Sequence, residues 1–287
     1  MRIIDTIKSE KVTLSFEMFP PKTSDKFENT YAAAESIARL NPAYISVTYG
    51  AGGGRGAFTA ELAQRIHQQT GVPVLAHLTC VSSTHSMVAE ALREYKERGL
   101  FNILALRGDV PEDGRIEHDY QYASELVAEV KKAGDFCIGG ACYPEGHIEC
   151  EHKADDIAHL KEKVDAGCDF LTTQMFFDNN IFYNFLYRAK NAGIQVPIIP
   201  GIMPITTARQ LSRAVQMSGT NVPERFRAIV DRFGPDPEAM RQAGIVYASE
   251  QIIDLVANDV RHIHVYSMNK PKVAEAIIHN LSHIIEL

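Results

Sequence analysis

The sequence predicts a single (β/α)8 barrel with an extra helical segment before the eighth strand, as one domain over residues 1–287. Eight short apolar runs alternate with amphipathic helical stretches, as parallel strands joined by crossover helices do. Four helical stretches stop at glycine just ahead of the next run, at Gly99, Gly134, Gly167 and Gly193. Glycine accepts the left-handed conformation that unwinds a helix. The length of 287 residues fits either two domains of about 150 residues or one barrel of about 250. No Pro/Ser-rich linker or low-complexity tract divides the chain, which favours the barrel. A doubly wound sheet is the alternative.

The first strand is expected at Val12 to Phe19. Phe27, Tyr31, Ala34 and Ala38 then recur at helical spacing, with Ser24 placed for an N-cap and Asp25 for the first turn. Asn41-Pro42 ends that helix. Tyr44 to Tyr49 is the second strand. The third is Pro73 to Leu78, its helix starting near Thr84. The fourth is Asn102 to Leu106, and the fifth Phe136 to Tyr143. Phe170 to Phe177 reads as the sixth and Val196 to Met203 as the seventh. Helical material fills 222–258, ahead of an eighth strand at His262 to Tyr266 and a last helix carrying Val273, Ile277 and Leu281.

Hydrophobic residues make up 45% and charged residues 23%, a globular balance that excludes disorder, collagen and coiled coil. The net charge of −7 argues against a nucleic-acid or anionic-membrane partner. No apolar run approaches the roughly 20 residues of a membrane-spanning helix, and no secretory signal is read at the start. The five irregularly spaced cysteines suit a reduced, cytoplasmic protein.

Polar residues gather where the strands should end, the functional rim of such barrels. They are Glu17, Thr48, Tyr49, His77, Arg107, Asp109, Tyr143, Glu145, Gln174, Asn269 and Lys270. Many loop starts are polar in any case. Glu17 and Gln174 sit inside apolar runs, so each must be hydrogen-bonded or functional. The run Gly50 to Gly56 contains a formal dinucleotide fingerprint, but no acid lies between Thr70 and Ser82 to hold a ribose. A mobile loop at the mouth is the better reading. Cys137, Cys142, His147, Cys150 and His152 lack zinc spacing, and a shared strand puts Cys137 and Cys142 on opposite faces; no metal is expected. His262 and His264 alternate along the last strand, where one face of the pair could enter the barrel, although satisfied core histidines are the commoner outcome. Lys270 could act as a Schiff-base nucleophile, so a metal- or lysine-dependent lyase or hydrolase is the alternative function.

The strand-end motifs together resemble the methylenetetrahydrofolate reductases, in their bacterial, catalytic-domain-only form. They are Ser15-Phe16-Glu17-Met18-Phe19-Pro20-Pro21, Ser46-Val47-Thr48-Tyr49-Gly50-Ala51, Ala76-His77-Leu78-Thr79-Cys80 and Leu104-Ala105-Leu106-Arg107-Gly108-Asp109. Tyr143-Pro144-Glu145 with His147, Lys163 to Gly167, Thr173 to Phe177 and Ile199 to Pro204 complete the series, in order. The resemblance implies a cytoplasmic flavoprotein oxidoreductase of folate one-carbon metabolism. It would hold FAD non-covalently, take hydride from NADH or NADPH, and reduce 5,10-methylenetetrahydrofolate to the 5-methyl form by a ping-pong mechanism. Its partners would be these small molecules and further copies of itself, as a homo-oligomer.

By the same resemblance, Glu17 matches the general acid that opens the folate's five-membered ring. Asp109 matches the acid placed by flavin and pterin. Gln174 matches a pterin-binding amide, Gln210 and Lys270 match folate-binding positions, and Thr48 matches a contact to the nicotinamide nucleotide. Tyr49, Ala51, His77, Arg107, Gly108, Ala123, Tyr143, His147, Cys150, Asp156, His159 and Lys163 align with flavin-binding positions. Cys150, His159 and Glu162 depart from the small, amide and basic residues the family carries there. Lys270 replaces an arginine, which loses the bidentate fork, and Ala214 replaces an aromatic.

Overall fold

A computed structural model describes residues 1–49, 56–109 and 119–285. The strands are β1 (Thr13–Met18), β2 (Ile45–Val47), β3 (Val74–Thr79), β4 (Asn102–Leu106), β5 (Cys137–Cys142), β6 (Phe170–Thr173), β7 (Ile198–Ile199), β8 (Gly201–Ile202) and β9 (His262–Val265). They pair in the order β7-β6-β5-β4-β3-β2-β1-β9-β8. Every pairing is parallel. The two ends of this order, β7 and β8, are halves of one apolar run split by Pro200. β7 pairs with β6 and β8 pairs with β9, so the sheet closes into a barrel and the doubly wound alternative is excluded. The expected seventh strand is interrupted because proline has no N–H for the ladder. The Pro200 carbonyl still accepts from the His264 N–H at 2.9 Å.

Helices α2 (Phe27–Ala38), α3 (Gly56–Thr70), α4 (His85–Glu97), α5 (Ala123–Ala133), α6 (Lys153–Asp165), α7 (Asn179–Asn191), α8 (Ala208–Ser218) and α11 (Pro271–Asn280) wrap the strands. The period-two alternation of β1 sends Leu14, Phe16 and Met18 outward into the main core, with Ile37, Ile66, Leu92 and Leu126 of the helices. Each fully buried side chain of this kind contributes about 1.5–3 kcal/mol. Thr84 caps α4 as expected, accepting from the Met87 N–H. Gly99 and Gly193 follow their helices at φ 74° and 79°. Ser24 does not cap α2: it lies inside a 3₁₀ turn (Ser24–Lys26) that leads into the helix, and no side chain caps that turn.

A short helix unread in the sequence, α1 (Ile3–Ile7), plugs the bottom of the barrel. Ile3, Ile4 and Ile7 pack there on the inward residues Leu75, Leu104, Cys137, Phe170 and Ile199. Asn102 Oδ1 accepts from the Ile3 N–H at 2.8 Å and fixes the plug. Gly139 leaves space for the Phe170 ring, since a Cβ there would sit 2.7 Å from it. Cys137 packs in this interior, whereas Cys142 packs with Ile157 and Leu160 of α6; the two cysteines face opposite sides, as their spacing requires.

The extra helical segment is α9 (Glu224–Phe233) and α10 (Pro237–Ala257). It explains where β6 stops. The apolar run continues to Phe177, yet the strand ends at Thr173. Beyond that point side chains take the carbonyls: Thr220 Oγ1 donates to Met175 O at 3.3 Å, Gln251 Nε2 to Phe176 O at 3.2 Å and Tyr247 Oη to Phe177 O at 2.6 Å. Gln174 therefore follows the strand rather than interrupting it. Among the described residues, no helix is long and apolar enough to cross a membrane.

Candidate active site

The residues of β1 that alternate with its outward core, Thr13, Ser15 and Glu17, face the barrel interior. The parallel register sets Thr13 beside His262 and Ser15 beside His264. Thr13 Oγ1 lies 2.7 Å from His262 Nδ1 and Ser15 Oγ 2.8 Å from His264 Nδ1. Two residues apart, His262 and His264 share one face, and both enter the barrel. From β3, the His77 ring is held by Ser46 Oγ at 2.5 Å. The His77 carbonyl accepts from Tyr95 Oη at 2.9 Å.

Glu17 stands at the top of this interior cluster. Its Oε2 lies 3.9 Å from His77 Nε2 and 3.9 Å from His264 Nε2, and its side chain is 13% exposed. Ser267 Oγ donates to the Glu17 carbonyl, and Asn269 brackets the backbone of Phe19 through both its N–H and its C=O. The loop after β9 thus clamps the end of β1. Burial drives the His77 pKa down to about 4, against the opposing pull of Glu17. This imidazole is neutral near pH 7.

On the β4–β5 side of the mouth, Arg107 forms a bidentate pair with Glu149 at 2.5 and 2.8 Å. That hydrogen bond holds the Glu149 carboxyl below its ordinary range. The Glu149 N–H donates to His147 Nδ1, the His147 N–H donates to Asp156 Oδ1 at 3.2 Å, and the Tyr143 and His147 rings meet edge to face at 4.6 Å. Lys163 reaches from α6 to donate to the Ala141 carbonyl of β5. Burial lowers its pKa and lifts that of Tyr143 to about 12. Gly108 turns the chain at φ 88°, where a Cβ would sit 3.1 Å from Thr79 and Val81, and Asp109 is exposed beside it.

Across the mouth, Lys270 Nζ donates to Thr206 Oγ1 at 2.9 Å, and Thr206 Oγ1 donates to Gln210 Oε1 at 3.1 Å. Gln210 and Lys270, distant in sequence, thus form one polar group.

The structure brings Glu17 to His77, Gln210 to Lys270, and Arg107 to His147, Asp156 and Tyr143 through Glu149. It does not join Gln174 to these groups: Gln174 Oε1 accepts from the Met175 N–H. Thr48 and Tyr49 end the second stave half-buried, and Thr48 O accepts from Thr59 Oγ1. Ala123 opens α5. Cys150 Sγ donates to His152 O, and His159 is exposed on α6. Ala51, and the glycine-rich loop around it from residue 50 to 55, lie outside the described residues. Ser46, Glu149 and Thr206 were not singled out in the sequence. The period-two alternation that marks Glu17 as inward marks Ser46 too, once β2 is in register. Nothing local marks Glu149 or Thr206. Among the described residues, no three His, Cys, Asp or Glu side chains are grouped to hold a metal ion.

A family model described as methylenetetrahydrofolate reductase matches residues 2–282. The 5,10-methylenetetrahydrofolate reductase of Escherichia coli (strain K12) is 35% identical over 272 residues, covering 94% of this chain and 91% of its own. The methylenetetrahydrofolate reductase (NADH) 1 of Arabidopsis thaliana is 35% identical over 305 residues, covering 100% of this chain and 52% of its own. The chain thus spans about half the length of that plant relative. A solved structure titled as an uncharacterized protein from Clostridium thermocellum that binds two copies of 5-methyl-5,6,7,8-tetrahydrofolic acid superposes with a TM-score of 0.67 at 16% identity, over 99% of this chain and 98% of that one. At that identity the likeness is one of fold.

Proposed function

The chain belongs to the methylenetetrahydrofolate reductase family, and we propose that it works with non-covalent FAD, taking electrons from NADH or NADPH in one half-reaction and reducing 5,10-methylenetetrahydrofolate in the next. The observation that carries this reading is Glu17: a mostly buried carboxyl at the C-terminal end of a barrel strand, set between two histidines and under a polar mouth. The side chains around that mouth fit an anionic dinucleotide. Arg107, whose guanidinium is shared with Glu149, and the buried Lys163 stand on one side with the paired His147 and Tyr143 rings, and the constrained turn at Gly108 keeps side-chain bulk off the rim. When bound, the flavin supplies the hydride that converts the one-carbon unit to a methyl group.

This chain's residues do the rest. Glu17 delivers the proton that opens the folate's five-membered ring and exposes the electrophilic one-carbon unit. Its backbone is clamped by Ser267, so the carboxyl is presented from a fixed strand end. Asp109 accepts from the N–H donors of the pterin, and Gln174 turns its amide to the same ring. Gln210 and Lys270, joined through Thr206, bind the folate from the opposite side. Thr48, Tyr49, His77, Ala123, Cys150, Asp156 and His159 line the dinucleotide positions.

Glu17→Gln tests the assignment. The variant is expected to bind FAD and to pass electrons from NADH to an artificial acceptor at the wild-type rate, while folate reduction falls about 10²–10⁴-fold. Full folate reduction by Glu17→Gln would remove Glu17 from the role of acid.

A further inference from the structure

Tyr44, just ahead of β2, turns inward between the plug and the Glu17 cluster, where it packs with Ile3 and Ile4. The β1–β2 register pairs Phe16 with Ile45, so Tyr44 stands level with Ser15. The Phe16 N–H donates to the Tyr44 carbonyl at 3.3 Å. Ser15 is in turn level with His264, and the Tyr44 ring lies nearly parallel to that imidazole, 10° apart with centroids at 5.9 Å. On β6, Leu171 points out to α6 and α7, so Thr172 points in. Ser15, Tyr44, Thr172 and His264 thus bring polar groups to the interior beneath Glu17, where such barrels ordinarily pack Val, Ile and Leu.

Two polar atoms in this interior are left over. Tyr44 is 2% and Thr172 6% exposed, and neither Tyr44 Oη nor Thr172 Oγ1 has a hydrogen-bond partner among the described residues. Buried hydroxyls are ordinarily satisfied, and leaving one bare is costly. The hydroxyls converge: those of Ser15 and Thr172 lie beside Tyr44 Oη and oppose the burial that pushes its pKa up to about 12. Ala141, in register with Thr172 on β5, contributes only a methyl group there.

We propose that Tyr44 Oη and Thr172 Oγ1 bind one buried water, which donates to Ser15 Oγ and makes Tyr44 and Thr172 positioning residues for Glu17; the inference rests on Glu17 being the acid, as above. The water has three partners, the usual number for a buried water. It receives from the two orphan hydroxyls and gives to Ser15. The Ser15 proton then goes to the nearer acceptor, His264 Nδ1 at 2.8 Å rather than the Ile263 carbonyl at 3.4 Å. That turns the His264 Nε2–H to Glu17 Oε2, 3.9 Å away. The other flank is already fixed, with Ser46 Oγ 2.5 Å from His77 Nε2. Oε2 is held toward the two imidazoles, and Oε1 is left to face the folate.

The test begins with a high-resolution crystal structure of the full-length protein, expected to show one water within hydrogen-bond distance of Tyr44 Oη, Thr172 Oγ1 and Ser15 Oγ. Rapid-reaction kinetics then separate the two halves of the cycle. Tyr44→Phe/Thr172→Val leaves neither orphan hydroxyl in place, so it is expected to fold with a Tm near wild type and without the water. Reoxidation of its reduced flavin by 5,10-methylenetetrahydrofolate is expected to slow about tenfold, as a displaced catalytic group does, with folate affinity and flavin reduction by NADH unchanged. Thr172→Ser keeps a hydroxyl and is expected to keep the rate. Tyr44 Oη bonded directly to Thr172 Oγ1 with no water between would overturn the proposal, as would an unslowed folate step or equal slowing of both half-reactions. Full folate reduction by Glu17→Gln would overturn the acid reading instead, whether or not the water is there.

Discussion

Two imidazoles flank Glu17 inside the barrel, and that of His77 carries no charge near neutrality. His77 is buried and its pKa lies at about 4 against an ordinary 6.5. The unfolded chain therefore binds a proton between these values that the folded chain does not. Folding stability at this residue is complete above pH 6.5 and is lost as the pH falls toward 4, by about 3 kcal/mol in all. Urea midpoints of the apoprotein at pH 7 and pH 5 are expected to show the loss, and His77→Gln should flatten the slope between them. On the opposite wall, Lys270 shares Thr206 with Gln210. Lys270→Ala should raise KM for the folate about tenfold or more, as removal of a charge-assisted hydrogen bond does, with little change in kcat. Steady-state kinetics with folate varied and NADH saturating would read the split.

At the scale of elements, the helical insertion is what finishes the β6 side of the barrel. Gly244 allows α10 to lie against the chain after β8: a Cβ there would sit 1.6 Å from the Ile205 carbonyl oxygen. From that position Tyr247 and Gln251 reach the carbonyls of Phe177 and Phe176. Tyr247→Phe keeps the ring packed on Phe226 but leaves a buried carbonyl without its donor, at a cost of about 1–3 kcal/mol. A fall of several degrees in Tm is expected, readable by calorimetry. These bonds also mark where the sequence stops being legible. The apolar run to Phe177 has strand character throughout, and only partners 45–75 residues away in the chain decide that its last residues leave the sheet. Helix α1 is hidden for a different reason: five residues carry too little periodicity to be read, and the plug is defined by the barrel floor it fills. Ser24 does not act as the cap its spacing suggests because a 3₁₀ turn precedes α2 and takes Ser24 in as its first residue.

At the scale of the whole molecule, the barrel was legible because its signals repeat. Eight apolar runs and four glycine stops agree with one another, and the closure across Pro200 confirms their order. The inward position of Glu17 was legible in the same way, as a carboxyl in a strand otherwise apolar on its outer face. The partners of that carboxyl were not. By sequence His264 reads more readily as a satisfied core histidine, and Ser46 as an ordinary strand residue, until the register sets both beneath the mouth. Glu149 could not be read as the partner of Arg107, because 42 residues separate them and only the fold brings them together.

In the proposed reaction one barrel passes electrons from a nicotinamide to a folate through a flavin held at this mouth. An anaerobic visible spectrum of the FAD-reconstituted protein tests it most directly. The flavin band is expected to bleach on addition of NADH or NADPH and to return when 5,10-methylenetetrahydrofolate follows. A flavin that bleaches with the nicotinamide but stays bleached with the folate would contradict it, as would a protein that takes up no FAD.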